Sequence, residues 1–245
     1  MSTASSELNG DARRAELAAN LAEVRKRIDA ACAAAGRPAA DVTLIAISKT
    51  RPASDVRLLA GLGLTDFGEN RDQEAAPKAA DSADLPITWH FVGQLQTNKA
   101  ASVVRYADVV HSVDRVRLVR ALGGAVRAAG RADGRELTGL VQVRLDDDPA
   151  RGGVPPGGVG EIAEAIAAEP GLVLGGVMAV APLGMAPDAA FGVLRECSDA
   201  VRRVRPDATV ISAGMSGDLE PAILSGSTHI RIGTALLGAR TPPVR

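Results

Sequence analysis

An amine at the end of an apolar run is the first feature of this sequence that could do chemistry. Lys49 follows Leu44-Ile-Ala-Ile-Ser48. A lysine drawn toward an apolar interior loses hydration, which disfavours its charged form and leaves more of it as a neutral nucleophile. Such an amine can condense with an aldehyde or ketone. A strand-end lysine that snorkels to solvent would have the same sequence context. The cation inventory sharpens the choice, because 24 Arg accompany only four Lys: Lys26, Lys49, Lys78 and Lys99. Lys26 and Lys78 lie on amphipathic helical patterns and are expected at the surface. Lys99 follows Thr97-Asn98 near a helix start, where solvent exposure is the simpler expectation.

A second cluster lies far along the chain. Ser212-Ala-Gly-Met-Ser-Gly-Asp218 reads as a turn feeding a short helix, a segment whose unpaired backbone N–H groups can face an anion. A Ser/Asp helix cap explains one or two of these residues and is compatible with anion binding. Arg231-Ile-Gly-Thr234 follows, and its glycine permits close approach of backbone to a ligand. An amine facing an anion-binding turn fits two ligands. One is pyridoxal phosphate, which carries an aldehyde, a phosphate and a pyridine nitrogen that an arginine could face. The other is a phosphorylated keto-sugar. The residues by themselves leave both open.

Hydrophobic periodicity supplies the elements that must position these groups. Residues 11–35, with Leu17, Leu21, Val24 and Ile28 at helical spacing, predict a long first helix stopped by Gly36 and Pro38. Strand-like segments follow at 42–48, 64–67, 87–92, 109–113, 140–145, 172–180, 209–212 and 230–236, with helical stretches in most of the gaps. Such alternation predicts an α/β protein with a parallel sheet and crossover helices. Eight units in 245 residues match a single TIM-type (β/α)8 barrel with an extra N-terminal helix; a doubly wound sheet is the alternative. Working residues in a parallel barrel gather at the C-terminal strand ends, which places Lys49, Glu69 and Asn70, residues 90–93, Ser112, Arg144, and residues 178–182, 212–216 and 231–234 on one rim. No linker divides the chain. Residues 1–245 are expected to form one domain, with 1–10 disordered and the loop 146–160 mobile.

Composition narrows the function classes. A balance of 28 Lys+Arg against 29 Asp+Glu lacks the basic excess of a general nucleic-acid or anionic-membrane surface. Three Phe, one Trp and one Tyr are too few for a base-stacking platform. Cys32 and Cys197 form no metal-ligand or disulfide pattern, which suits a reducing compartment. The N-terminus shows no signal peptide, and the uncharged run 170–187 is broken by three prolines. The expectation is a soluble, cytoplasmic protein with no nucleic-acid or membrane partner, either a monomer or a weak homodimer.

Motifs distributed along the chain carry a resemblance. Ala46-Ile-Ser-Lys-Thr-Arg-Pro52, Phe67-Gly-Glu-Asn70, Trp89-His-Phe-Val-Gly93, Gln96-Thr-Asn-Lys99, Ser112-Val-Asp-Arg115, Gly214-Met-Ser-Gly-Asp218 and Arg231-Ile-Gly-Thr-Ala235 resemble, in order, those of the pyridoxal phosphate homeostasis proteins. The similarity runs from about residue 20 to Gly238. It implies a barrel like the N-terminal domain of alanine racemase, with pyridoxal 5'-phosphate bound as a Schiff base on Lys49. By motif, the resemblance places Asn70 beside the cofactor ring. It assigns Ser212, Gly214, Met215 and Ser216 to the phosphate turn, Arg231 to the pyridine nitrogen, and Gly233 and Thr234 to the phosphate cradle. Departures fall at Gln142-Val-Arg144, where the family shows Gln-Val-Asn, at Arg151, which replaces a family lysine, and at Gly217-Asp218, where an acidic pair is usual.

The same resemblance implies a role in vitamin B6 homeostasis: the protein sequesters the reactive aldehyde and delivers it to apo-enzymes, with no catalytic residue and no metal. Residue chemistry agrees, because an arginine at the pyridine nitrogen is a permanent cation and weakens the cofactor as an electron sink. Racemases with this arrangement add a tyrosine base from a C-terminal β-domain, and no room for that domain is expected here. The one tyrosine, Tyr106, falls on a predicted helix far from the site. His111 and His229 sit inside strand patterns and are expected to be structural. His90 lies in the Trp-His-Phe motif, where packing is the simplest role and a place near the cofactor stays open. The rival reading is a pyridoxal phosphate-dependent amino-acid racemase or related Schiff-base enzyme.

Overall fold

A computed structural model describes residues 2–130, 136–146, 148, 152–182 and 184–238. Among them, β1 (Thr43–Ile47), β2 (Asp66–Glu69), β3 (Thr88–Phe91), β4 (Val109–Val113), β5 (Leu137–Gln142), β6 (Leu172–Met178), β7 (Val210–Ser212) and β8 (His229–Ile232) close into a parallel barrel in chain order. The pairing of Thr43 with His229 and of Ala46 with Ile232 seals the seam, which excludes the open, doubly wound sheet. The helices are α1 (Ser2–Ala34), α2 (Ala53–Ala60), α3 (Asp72–Asp81), α4 (Ala100–Val103), α5 (Val116–Ala129), α6 (Val159–Ala168), α7 (Pro187–Val204), α8 (Leu219–Leu224) and α9 (Thr234–Leu237).

Alternation along each strand sorts its side chains. Leu44 and Ala46 of β1, Phe67 of β2, Trp89 and Phe91 of β3, and Ile230 and Ile232 of β8 join the large apolar cluster under the helical shell. Their neighbours Asp66, His90, His229 and Arg231 therefore face the lumen. The main apolar cluster is a ring between sheet and helices, and the lumen holds these polar groups beside Ile45 and Ile47.

Helix α1 closes the outside of the seam. Leu17, Leu21, Val24 and Ile28 are buried at the spacing of one helical face, and the helix packs on α8 and α9. Asn20 Nδ2 donates to the Leu236 carbonyl at 3.0 Å and Arg13 Nη2 to the Leu237 carbonyl at 3.1 Å, satisfying the free C-terminal carbonyls of α9. Arg13 is also paired with Asp55 of α2 at 2.6 Å. Among the described residues no helix is long and apolar enough to cross a membrane.

Several strand boundaries shift from the sequence pattern, 64–67 to Asp66–Glu69 among them, and two shifts change the path of the chain. The predicted strand 140–145 is displaced to Leu137–Gln142. Its apolar tail leaves the barrel instead, with the Arg144 N–H donating to the Val154 carbonyl and the Val154 N–H to the Gln142 carbonyl. The predicted strand 230–236 stops at Ile232, because the chain turns at Gly233 and buries Leu236 and Leu237 from a helical turn. A short apolar run cannot distinguish these two conformations. Residues 147 and 149–151, at the centre of the loop 146–160, lie outside the described residues, Arg151 included.

Backbone packing is tight where β6 meets β7. Gly176 has φ +149°, and a Cβ there would lie 2.0 Å from the Val210 carbonyl oxygen. A Gly176→Ala variant is expected to lose about 2–3 kcal/mol or more, read as a lower urea midpoint at unchanged slope.

Candidate functional site

A cavity of about 370 Å³ opens at the C-terminal mouth of the barrel. It brings together Lys49, Asn70, Met215, Ser216, Arg231, Gly233 and Thr234 from opposite ends of the sequence. Ser212 and Gly214, also expected there, do not line it. Both lie beneath, where they support residues that do.

The Lys49 segment is clamped on each side. The Ser48 N–H donates to the Gly68 carbonyl at 3.0 Å, the Arg51 N–H to the Ser48 carbonyl at 3.0 Å, and the Thr50 N–H to Glu74 Oε2 at 2.9 Å. Thr50 takes a left-handed φ of +65°, the one such non-glycine residue described. A β-branched residue adopts that conformation only where its surroundings impose it. Lys49 is half-buried at the point where the chain turns.

Below this turn lies an ion pair. Lys78, expected at the surface, is buried: its Nζ donates to the Ser48 carbonyl at 2.8 Å and is paired with Glu69, which is fully buried on β2. Glu69 Oε1 also accepts from Ser48 Oγ at 2.7 Å. The physical reason is the carboxylate: a charge on a buried strand requires a counter-charge, and α3 presents Lys78 to it. The glutamate within Phe67-Gly-Glu-Asn70 was the sequence signal for such a partner.

The anion-binding turn depends on Gly214, whose φ is +94° and where a Cβ would meet the Ala222 Cβ at 2.7 Å. Asp218 Oδ1 accepts from the Met215 N–H at 2.6 Å, and Ser216 Oγ accepts from the Ala235 N–H at 3.3 Å, joining the turn to α9. Arg27 of α1 donates to the Ser216 carbonyl at 3.0 Å and pairs with Glu220 at 2.7 Å. Among the described residues nothing accepts from the backbone N–H groups of Ser216, Gly217 and Thr234. These donors flank the cavity, as an anionic ligand requires.

Arg231 forms the floor and is 5 % exposed. Its Nη1 donates to Ser212 Oγ at 2.7 Å and its Nη2 to the Ala179 carbonyl at 2.9 Å. Burial pushes its guanidinium down to about 10, against a raising effect of Asp218, so it stays a cation at neutral pH. Ser212 thus serves the arginine and not the turn, because its side chain, at the end of β7, points into the lumen. Thr50 and Arg51, both next to Lys49, are lining residues that the strand-end reading did not single out, whereas Val92, Met178 and Val180, at strand ends it did include, supply apolar wall.

Other expected outsiders are outsiders. Tyr106 does not line the cavity; its hydroxyl is 3.5 Å from Asp72, and burial with the nearby Asp72 and Glu69 charges pushes it up. Lys99 lies 3.8 Å from Asp72 at the partly exposed rim of α3. His90, His111 and His229 do not line the cavity. Among the described residues no group of His, Cys, Asp and Glu could hold a metal ion.

Fold and site together define a (β/α)8 barrel with an amine, a lumenal arginine and a turn of unengaged backbone donors at one mouth. Comparison with known proteins agrees. The family described as "Alanine racemase, N-terminal domain" matches residues 14–241. A relative from Mycobacterium leprae (strain TN), named "Pyridoxal phosphate homeostasis protein", is 46 % identical and covers 95 % of each chain. The structure of PipY from Synechococcus elongatus PCC7942, with PLP bound, is 34 % identical with a TM-score of 0.78, covering 91 % of this chain and 100 % of that one. Alanine racemase from Corynebacterium glutamicum, at 15 % identity and a TM-score of 0.66, covers 95 % of this chain and 63 % of its own, a likeness of fold alone. The chain belongs to the alanine racemase N-terminal-domain family, among the pyridoxal phosphate homeostasis proteins.

Replacing Lys78 by Met strands the Glu69 carboxylate in the interior. The expected cost is about 3–5 kcal/mol in guanidinium unfolding. A Lys78→Met/Glu69→Gln double variant is expected to recover a large part of that loss.

Proposed function

We propose that this protein binds pyridoxal 5'-phosphate as a Schiff base on Lys49, keeps the aldehyde out of solution, and passes the cofactor to apo-enzymes in the cytoplasm. One observation carries the reading: the Lys49 amine, three unengaged backbone donors and the Arg231 cation all border the same cavity. An amine, an anion cradle and a cation at such a mouth match the aldehyde, phosphate and ring nitrogen of that cofactor. When bound, the group supplies an aldehyde that condenses reversibly with amines. The N–H groups of Ser216, Gly217 and Thr234 hold the phosphate, Asn70 flanks the ring, and Arg231 faces its nitrogen without yielding a proton. The PLP-bound PipY structure and the name of the mycobacterial relative support the assignment.

A carrier role, not catalysis, fits the lining of the cavity. Racemisation removes a proton from one face of a carbon and returns one to the other, which takes a base besides the lysine. Among the described residues that border the cavity there is no His, Tyr, Cys, Asp or Glu. Lys49 is the one proton-transfer group of ordinary strength at that mouth.

The test is the visible absorption spectrum of the protein with added pyridoxal phosphate. A lysine-dependent band is expected, and Lys49→Ala is expected to abolish it; a wild-type protein without the band refutes the reading. Pyridoxal lacking the phosphate is expected to bind on the order of 100-fold more weakly, given three charge-assisted hydrogen bonds lost. Racemisation of L-amino acids that disappears in Lys49→Ala would overturn the carrier role and leave the cofactor assignment standing.

A further inference from the structure

Beneath Arg231 a line of polar side chains crosses the lumen to the opposite mouth. Asp66, the first residue of β2, places Oδ1 3.0 Å from His90 Nε2. His90 Nδ1 lies 2.9 Å from His111 Nε2, and His111 Nδ1 lies 3.0 Å from Ser212 Oγ. Ser212 Oγ in turn accepts from Arg231 Nη1 at 2.7 Å. His111 and Ser212 are fully buried, and His90 is 3 % exposed. Four strands of the barrel are spanned, yet neither histidine touches the ligand cavity.

Chemistry fixes the direction of this line. Burial opposes ionisation of Asp66, but hydrogen bonds from His90 and Thr65 outweigh it and hold the carboxyl below its usual range. A carboxylate only accepts, so His90 Nε2 carries a proton. Burial, and beyond it the nearby Arg231 cation, pushes His111 well down, so its ring is neutral. His229, whose ring centroid is 6.4 Å from that of His90, is pushed down to about 4, mainly by burial, and adds no charge. With His111 neutral and the His90 proton on Nε2, one pattern satisfies every contact. Ser212 donates to His111 Nδ1, His111 Nε2–H donates to His90 Nδ1, and His90 Nε2–H donates to Asp66. Every dipole then lies between the Arg231 cation and the Asp66 anion. A cationic His90 would reverse the His111 tautomer and turn the Ser212 hydroxyl away from it.

We propose that Asp66, His90, His111 and Ser212 form a polarised positioning relay that fixes the plane of the Arg231 guanidinium against the ligand cavity. The remote carboxylate selects the tautomer of both imidazoles, and Ser212, its own proton committed to His111, presents lone pairs to Nη1. Arg231 is then locked by Ser212 on one nitrogen and the Ala179 carbonyl on the other. The ligand consequence rests on the pyridoxal phosphate reading; the relay itself belongs to the protein alone.

Nitrogen-15 NMR of the imidazoles in the ligand-free protein tests the relay directly. Both His90 and His111 are expected to be protonated at Nε2 and bare at Nδ1. Asp66→Asn keeps an accepting oxygen and is expected to preserve this pattern. Asp66→Leu removes the acceptor and is expected to move His111 toward the Nδ1-protonated tautomer. With pyridoxal phosphate added, Asp66→Leu is expected to shift the visible band and weaken binding roughly tenfold, the scale of one charged hydrogen bond, while Asp66→Asn retains both. A wild-type His111 protonated at Nδ1 overturns the proposal, as does an Asp66→Leu protein with wild-type tautomers. Should Asp66→Leu fail to fold, the wild-type and Asp66→Asn tautomers decide it. A wild type that binds no pyridoxal phosphate defeats the cofactor reading and leaves the tautomers to judge the relay.

Discussion

Closure of the barrel between its first and last strands is the constraint from which the site follows. The β1–β8 register carries the end of β1 to the end of β8, so Lys49 emerges beside Gly233 and Thr234. Before closure these groups have no common frame, and a parallel pairing between chain ends is paid for by loop entropy. Helix α1 covers the seam and holds the backbone around it: Arg27 on Ser216, Asn20 on Leu236 and Arg13 on Leu237. The extra helix is therefore part of the binding apparatus, although its side chains lie outside the cavity.

Polarity is distributed in an unusual way for a barrel of this type, whose lumen is commonly filled by branched apolar residues. Here the shell between sheet and helices is largely apolar, with the Glu69–Lys78 pair set into it, while the lumen carries Asp66, three histidines, Ser212 and Arg231 beside Ile45 and Ile47. A buried ion pair is a weak source of stability, since desolvation offsets most of the Coulombic gain. Its better-attested contribution is geometric. Lys78 and Glu69 leave Ser48 a narrow range of positions, and Ser48 adjoins Lys49. Rigid floor and rigid stem surround an anion turn that keeps donors unspent, so ordering cost falls on folding and not on binding.

Much of this was legible in the sequence because barrel strands are nearly continuous apolar runs and chemistry collects at their ends. Lys49, the Gly214 turn and Arg231 could be placed that way. Ser212 could not, since the same strand-end address serves a residue in the cavity and one beneath it, and only the pleat decides. Lys78 misled because its helix looks amphipathic; the carboxylate it answers is a tertiary neighbour on another element. The boundary at Gly233 was hidden for a related reason, since Leu236 and Leu237 are apolar whether they extend β8 or pack as a helical turn against α1. The relay was illegible altogether. Its histidines sit inside strand patterns, and their mutual contact exists only across the lumen.

The scarcity of lysine has a meaning for selectivity between chemical partners. Aldehydes condense with amines, and a protonated guanidinium is inert toward them. A chain of 24 Arg and four Lys keeps the solubility and ion pairing of a cationic surface while offering few sites for stray adducts. Lys78 is withdrawn further, its nitrogen enclosed between Glu69 and the Ser48 carbonyl. On the proposed reading, in which the protein meets a reactive carbonyl as its cargo, the arginine bias acts as a chemically silent coat, and the buried ion pair removes an amine that would otherwise compete with Lys49.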